Sequence, residues 1–430
     1  MEVMIAFLRA RLWLAIFCCL YAFNSTALGL AYANSNNLKQ VRINTDSMRV
    51  SSLENDLKTK TILTSEKAHP EPLQIYISLD NQEMTVFRGL ERIFSTNISS
   101  GKKGYDTPRG IFSVLEKRKR HQSNIYNASM PFMQRLTWSG IALHQSNKVP
   151  NYPASHGCIR LPRKSAKMLY NVTSYRDHVI IAPERISPNV IEHPALFQPH
   201  KEHLVNFDLR DSKSGYDIID STIRIYNDKP LRIYITRKRP SEIVQNVQIG
   251  LKQLLLYEGD IDGAFGKKTR DAIVAFQKLY GYKQTGKLDK SFRKRLSIKS
   301  ERAMLRDGVI LVRQNHKPIY KADIDIERPT EPLGSHFLIT SKFNSSKTKW
   351  IGSTISTKIP RSVVRFNDIE LNGKKRIVGN IQQALSRLKL SKDIKFEIER
   401  MLTAGSSLAI SDNGIGTETG KGTDFIVQTH

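Results

Sequence analysis

The run Ser155-His156-Gly157-Cys158-Ile159-Arg160 decides how this chain is read. The sequence holds three cysteines, and two of them, Cys18 and Cys19, lie in an apolar N-terminal stretch that reads as removable. Cys158 is then the single thiol of the mature protein. A lone thiol closes no internal disulfide, so in an exported protein it is either an inert buried side chain or a reactive group. The histidine and glycine before it favour reactivity. The thiolate is the nucleophile, and an ordinary cysteine is mostly protonated near neutrality, so it needs a base or a positive neighbourhood. His144 ends an expected strand and returns to the thiol if residues 145–154, with Pro150 and Pro153, form a loop. His144 is therefore the expected general base and later general acid, and His156 a positioning group. Gly157 admits close backbone approach, so the N–H groups of Gly157 and Cys158 are the expected oxyanion donors. Arg160 adds charge that stabilises a thiolate or binds a substrate carboxylate.

Outward from this run, the block from Leu73 is β-rich. Leu73, Ile75, Ile77 and Leu79 alternate as in a half-buried strand, Asp80-Asn81 makes a turn, and Met84 and Val86 begin a return strand. Further strands are expected at Phe94–Ile98, Ile111–Leu115, Ile141–His144 and His178–Ile181, with one short helix at Lys164–Asn171. A sandwich or barrel-like sheet with a short helix follows.

His144 followed by Ser155-His156-Gly157-Cys158-Ile159-Arg160 resembles the active-site signature of the L,D-transpeptidase family, the YkuD domain, over residues 73–183. The runs Met130 to Gly140, Tyr152-Pro153-Ala154 and Thr107-Pro108-Arg109-Gly110 are similar to one branch of that family. Two features depart from many members: a short His144–Ser155 loop, and Arg160 where others carry Asn. The resemblance implies that Cys158 attacks the diaminopimelate carbonyl of a peptidoglycan tetrapeptide stem. His144, protonated in an ion pair, would pass its proton to the leaving D-alanine. An amine of another stem would resolve the thioester to a 3→3 cross-link; water would make the enzyme an L,D-carboxypeptidase, and a protein lysine a wall-attachment enzyme. It also implies that the backbone carbonyl of Gln145 orients the His144 ring. Ser155, Gln145 and Trp138 are taken as substrate-side residues, with Trp138 and Phe132 either lining a groove or packing in the core. His121, His178 and His336 carry no partner pattern and read as structural or exposed.

Residues 243–297 read as a small three-helix module. Val244, Val247, Leu251 and Leu254 share one helix face, Ala272, Phe276 and Leu279 another, and Phe292 and Leu296 mark a third helix. Gly259-Asp260-Ile261-Asp262-Gly263-Ala264-Phe265-Gly266, with Phe276-Gln277 and Thr285-Gly286, resembles the peptidoglycan-binding domain type 1. An EF-hand reading of Asp262 fails for want of spaced carboxylates and a closing Glu.

The chain has 430 residues, 40% hydrophobic, enough for two or three domains, and a formal charge of +27. Such charge suits polyanions, but no zinc-finger spacing or aromatic-basic stripe accompanies it, so a basic surface for an anionic envelope is preferred to nucleic acid. Arg9 and Arg11, the apolar Leu12–Phe23 and Ala31-Tyr32-Ala33 read as an export signal over 1–33, with the alternative of an uncleaved anchor. Residues 34–72 read as a polar linker and 184–242 as a connector with strands between Ile223 and Ile235. Residues 298–430 read as an α+β region of uncertain fold. There Pro332-Leu333-Gly334 faintly echoes Pro108-Arg109-Gly110, which raises a degenerate repeat of the catalytic block. The glycine-rich run 414–423 fails P-loop spacing and reads as an ordinary flexible loop. No metal-ligand cluster is visible, and neither cofactor nor metal is expected. Expected, then, is an exported peptidoglycan enzyme of the periplasm or envelope; the competing readings are a catalytically silent wall-binding scaffold, which the Cys158–His144 pair argues against, and a papain-like protease, whose cysteine neighbourhood differs.

Overall fold

The computed structural model describes residues 71–123, 127–200, 229–344, 347–420 and 422–429. The expected export signal, nearly all of the linker and the Ile223 end of the connector strand lie outside these residues. All described residues belong to one compact unit, residues 68–430. Among them no helix is long and apolar enough to cross a membrane.

The first half runs β1 (Leu73–Ser78), β2 (Glu83–Arg88), β3 (Glu91–Asn97), β4 (Gly110–Ser113), β5 (Glu116–Arg118), β6 (Met133–Arg135), β7 (Ala142–Gln145), β8 (Ile159–Leu161), α1 (Arg163–Val172), β9 (His178–Ala182) and β10 (Asn189–Ile191). Strands β4, β9, β1, β2 and β3 lie side by side, with β1 parallel to β9 and the other pairs antiparallel. A small second sheet, β5-β6-β7-β8, carries the cysteine turn. Between the two lies a core of Ile75, Ile77, Met84, Phe112, Leu143, Ile159, Leu169 and Val179. Apolar side chains at alternate positions of β1 enter this core, as strand periodicity requires.

The expectation of a half-buried β1 needs correction: all six of its residues are buried. The opposite face is covered by another sheet. Tyr76, Ile111 and Ile180 pack there against Tyr234, Phe337, Ile339 and Ala409.

That other sheet belongs to the second half: β11 (Arg232–Arg237), α2 (Pro240–Gln253), α3 (Lys267–Leu279), α4 (Lys290–Lys299), β12 (Gly308–Gln314), β13 (Lys317–Ile326), β14 (Ser335–Asn344), β15 (Lys347–Ile355), α5 (Arg361–Phe366), α6 (Ile381–Ser386), β16 (Leu388–Lys389), α7 (Lys392–Glu399), β17 (Ser407–Ser411) and β18 (Val427–Gln428). Its central order β14-β17-β11-β12-β13 repeats β4-β9-β1-β2-β3, and every strand direction is kept. The register is kept too. Ile75 and Tyr76 pair with Val179 and Ile180, and Ile233 and Tyr234 with Leu408 and Ala409. The strand sequences agree: Pro72-Leu73-Gln74-Ile75-Tyr76-Ile77-Ser78 against Pro230-Leu231-Arg232-Ile233-Tyr234-Ile235-Thr236. Tyr76 and Tyr234 both face the shared cluster between the sheets.

The match extends backward from β17 without a gap. His178 of β9 corresponds to Ser407, the Pro162 that precedes α1 to the Ser391 that precedes α7, and Cys158 to Arg387. Arg387 is 3% exposed, and its guanidinium donates to the carbonyls of Glu327, Arg328, Glu331 and Pro332.

Two boundaries change as a result. The supposed connector contains β10, which pairs with β15, and β11, a central strand of the second sheet. The helical module is inserted between β11 and β12, paired neighbours whose ladder continues through Lys238 N–H to the Asp307 carbonyl. Its three helices enclose Ile243, Val247, Leu251, Ile273, Phe276, Phe292 and Leu296. Leu279, expected on that inner face, is 62% exposed, because α3 ends there and its last turn runs past the core. Asp262 accepts from Gln248 and from the Ala264 N–H, a turn-bracing role. Gly263 has φ +74°, and a Cβ there would stand 2.8 Å from the Ser241 carbonyl oxygen, so the turn requires glycine. The module is fastened sideways by Phe265 against Phe366 of α5, ring centroids 5.7 Å apart, and by Arg293 to Asp368 at 3.0 Å.

The two halves also exchange edge strands. After β9 the chain adds β10 to the second sheet; after β17 it adds β18 to β4 of the first. The run 412–426 between β17 and β18 is no free loop: Asp412 binds Arg237, Tyr234 donates to the Gly414 carbonyl, and Ile426 sits in the first core. Asp424 ties the halves through Arg176 at 3.1 Å and Arg232 at 3.4 Å.

Candidate active site

Cys158 stands at the end of the turn that leads into β8, and His144 lies in β7, which pairs with β8 in parallel. The turn is braced from within. Ser155 Oγ donates to the Cys158 carbonyl at 2.5 Å and accepts from Gly157 N–H at 3.1 Å. Gly157 has φ +106°, a conformation strained for any residue with a Cβ, and a Cβ there would also meet Ile141 Cδ1 at 2.8 Å. Its carbonyl accepts from Thr107 Oγ1, which in turn accepts from Gly101 N–H, both at 2.8 Å.

Two expectations are corrected by this geometry. Ser155 is 2% exposed, and its hydroxyl is used within the turn, so it does not face substrate. The Gly157 N–H, expected as an oxyanion donor, is held by Ser155 Oγ.

The histidine is set for base chemistry. Its Nδ1 lies 2.8 Å from the Gln145 carbonyl oxygen. A carbonyl only accepts, so Nδ1 carries the proton and Nε2 keeps its lone pair. Gln145 acts here through its backbone. Burial pushes the His144 pKa down to about 4; the Gln145 carbonyl opposes this, and Arg160 adds to it. Burial likewise raises the Cys158 pKa, against the Ala142 backbone and the charges of Arg135 and Arg160. The wall responsible is apolar: Met130, Met133 and Ala142 pack beside the sulfur. The enclosure thus disfavours both charges of the expected thiolate–imidazolium ion pair and favours a neutral thiol beside a neutral imidazole. Among the described residues no hydrogen bond joins Cys158 to His144; the thiol donates to the Gly140 carbonyl at 3.4 Å.

Around the mouth, His156 is exposed and its ring meets Tyr105 edge-on, centroids 4.6 Å apart. Trp138 is 44% exposed, which places it at the surface and not in the core; Phe132 is partly buried against the first core. Arg135 lies over the Trp138 ring, 5.9 Å from its centroid. Arg160 is half-buried in β8, in register with His144. Elsewhere His178 and His336 are both buried, the latter bonded to Thr354 and the Leu333 carbonyl. Sequence reading missed Thr107, Tyr105 and Glu418. Thr107 lies in a noted motif, but its bond to Gly157 spans fifty residues. Glu418 of the second half accepts from the N–H groups of Trp138 and Ser139 at 2.7 and 2.8 Å. Among the described residues no three His, Cys, Asp or Glu side chains group as metal ligands would.

Residues 72–181 match the family model of the L,D-transpeptidase catalytic domain (YkuD), and residues 240–296 that of a putative peptidoglycan binding domain (PG_binding_1). No curated protein matches the chain significantly. Among solved structures, an L,D-transpeptidase from Mycobacterium smegmatis is 26% identical, with 26% of this chain and 58% of that one covered and a TM-score of 0.25. An L,D-transpeptidase from Stackebrandtia nassauensis is 27% identical over 28% of this chain and 60% of that one, TM-score 0.25. One from Xylanimonas cellulosilytica is 28% identical over 26% and 61%, TM-score 0.24. The chain thus spans about three fifths of the solved structures it matches. On the two family matches, this chain carries a catalytic domain of the L,D-transpeptidase (YkuD) family at residues 72–181 and a peptidoglycan binding domain at residues 240–296.

Proposed function

We propose that the protein is an exported cysteine L,D-transpeptidase that acylates Cys158 with a peptidoglycan stem peptide and passes the acyl group to an amine. The observation that carries the reading is the His144 ring: Nδ1–H is held by the Gln145 carbonyl and Nε2 is left as a base one strand from the thiol. Because thiol and imidazole start neutral, proton transfer accompanies attack. Nε2 takes the thiol proton while sulfur bonds to the diaminopimelate carbonyl carbon. The imidazolium then protonates the leaving D-alanine nitrogen, and the C–N bond breaks to give a thioester. An acceptor amine attacks this carbonyl, loses its proton to Nε2, and the sulfur departs as the thiol. The Cys158 N–H is the donor of the signature turn that remains for the oxyanion. Arg160 contributes positive charge beside both groups.

The same reading makes residues 230–429 a second, catalytically silent copy of the domain, with Arg387 where the nucleophile stands in the first copy and the wall-binding helices inserted in its first hairpin. Binding of polymer by those helices would raise the local concentration of stems at Cys158.

The test is incubation of the full mature chain with tetrapeptide muropeptides and mass analysis, beside Cys158→Ala. Cross-linked dimers absent from the variant are the expected result. Tripeptides alone would mean water is the acceptor, an L,D-carboxypeptidase. Neither adduct nor turnover, with wall binding retained, would sink the enzymatic reading.

A further inference from the structure

The contact made by Glu418 is a carboxylate bound by two consecutive backbone N–H groups, those of Trp138 and Ser139. The next residue, Gly140, has φ +112° and presents its carbonyl to the Cys158 thiol at 3.4 Å. A pair of adjacent N–H groups aimed at one carboxylate is a small anion cradle. It lies one residue from a direct contact with the nucleophile, and the Arg135 guanidinium beneath Trp138 adds positive charge to the same loop.

The run that delivers Glu418 is anchored at its two ends, and its tip is braced through the backbone: Thr423 Oγ1 donates to the Glu418 carbonyl and Thr419 Oγ1 accepts from Ile426 N–H. At one end Asp412 pairs with Arg237, and Tyr234 donates to the Gly414 carbonyl. At the other, Gly416 N–H and the Ile426 carbonyl close the loop at 2.9 Å, Ile426 enters the core, and β18 joins β4. Glycines with positive φ, Gly414 at +77° and Gly420 at +93°, flank the tip. Only the Glu418 carboxylate occupies the cradle, so it can swing out by side-chain rotation while these backbone bonds hold.

We infer that the Trp138–Ser139 N–H pair is a carboxylate-binding subsite beside Cys158, and that Glu418 is its internal occupant, displaced by a carboxylate of the incoming acyl donor or acceptor. The inference deepens the proposed function, whose stem-peptide substrates bear free carboxylates at the reacting end. Its test uses small thiol reagents in place of peptidoglycan, so it succeeds or fails whether or not the protein cross-links stems.

The experiment compares alkylation of Cys158 by iodoacetate and by uncharged iodoacetamide in the full chain, in wild type, Glu418→Ala and Glu418→Gln. With the cradle vacated, the iodoacetate rate in Glu418→Ala should rise about tenfold relative to the iodoacetamide rate, the scale of a charge-assisted carboxylate contact. Acetate should slow the iodoacetate reaction saturably, where chloride at equal ionic strength does not. Glu418→Gln, which keeps one acceptor oxygen, should fall between and carries the test if the alanine variant does not fold. Equal acceleration of both reagents would mean that Glu418 is only a clasp on the loop, and loss of the effect in chloride would mean a mere surface-charge effect; either overturns the subsite.

Discussion

At Cys158 and His144 the decisive influence is enclosure. Methionines and an alanine wall the sulfur, and burial outweighs two nearby arginines, so the thiol titrates above its ordinary value while His144 titrates near pH 4. The rate of Cys158 alkylation by iodoacetamide should therefore climb steadily through pH 9. A resting ion pair would instead give a plateau across the neutral range, and observing one would refute the neutral assignment. The nearness of Cys158 and His144, on paired strands, and the Gln145 carbonyl at the His144 ring were legible in the sequence because these residues sit in a short, dense signature. The task of Ser155 was not, since a hydroxyl two residues from a glycine looks the same whether it faces substrate or braces its own turn. The charge state was not legible either: it depends on Met130 and Met133, whose nearness to the sulfur is a product of the β6–β7 pairing.

At the scale of elements, strands with strong alternation were readable, and so was α1, while the three-residue β5, β6 and β8 were too short to carry a period. The second sheet was hidden for a different reason. Its first two strands are neighbours in space but are separated in sequence by the inserted helices, so the hairpin that would announce the repeat is split. Replacing residues 240–299 with a short turn should let β11 and β12 rejoin. We expect turnover of soluble muropeptides to persist and retention on sacculi, measured by co-sedimentation, to vanish. The substitution Phe366→Ser would be combined with it, because removal of the module uncovers that ring. Arg387 makes a sharper claim about the second copy. Its guanidinium satisfies four backbone carbonyls in a buried position, so Arg387→Ala should cost about 3–5 kcal/mol of stability, read as a lower denaturant midpoint.

For the molecule as a whole, acid response follows from its buried titratable groups. His144 and His336 each fall from 6.5 to about 4 on folding. The unfolded chain then binds more protons between those values, so each contributes stability that is complete above pH 6.5 and is lost as pH falls toward 4, on the order of 3 kcal/mol apiece. His178, buried and also lowered, acts in the same direction. Asp177 opposes them: burial raises it from 3.8 to about 6, so its carboxyl favours the folded state as pH falls below 6. Three imidazoles outweigh one carboxyl, and the thermal midpoint should drop between pH 6.5 and 4. His336→Asn should flatten that slope; an unchanged midpoint over the range would contradict the burial of these rings.

The exchange of edge strands has a consequence in time. Strand β4 borders the catalytic sheet, yet its outer neighbour is made of residues 427 and 428, and Ile426 fills the catalytic core itself. A ribosome releases those residues long after the cysteine turn has emerged. Until they arrive, the first sheet lacks its border, and the N–H groups of Trp138 and Ser139 lack the Glu418 carboxylate. Cys158 is therefore synthesised early and housed late, so a chain cut short anywhere in its second half carries its thiol in an unfinished pocket.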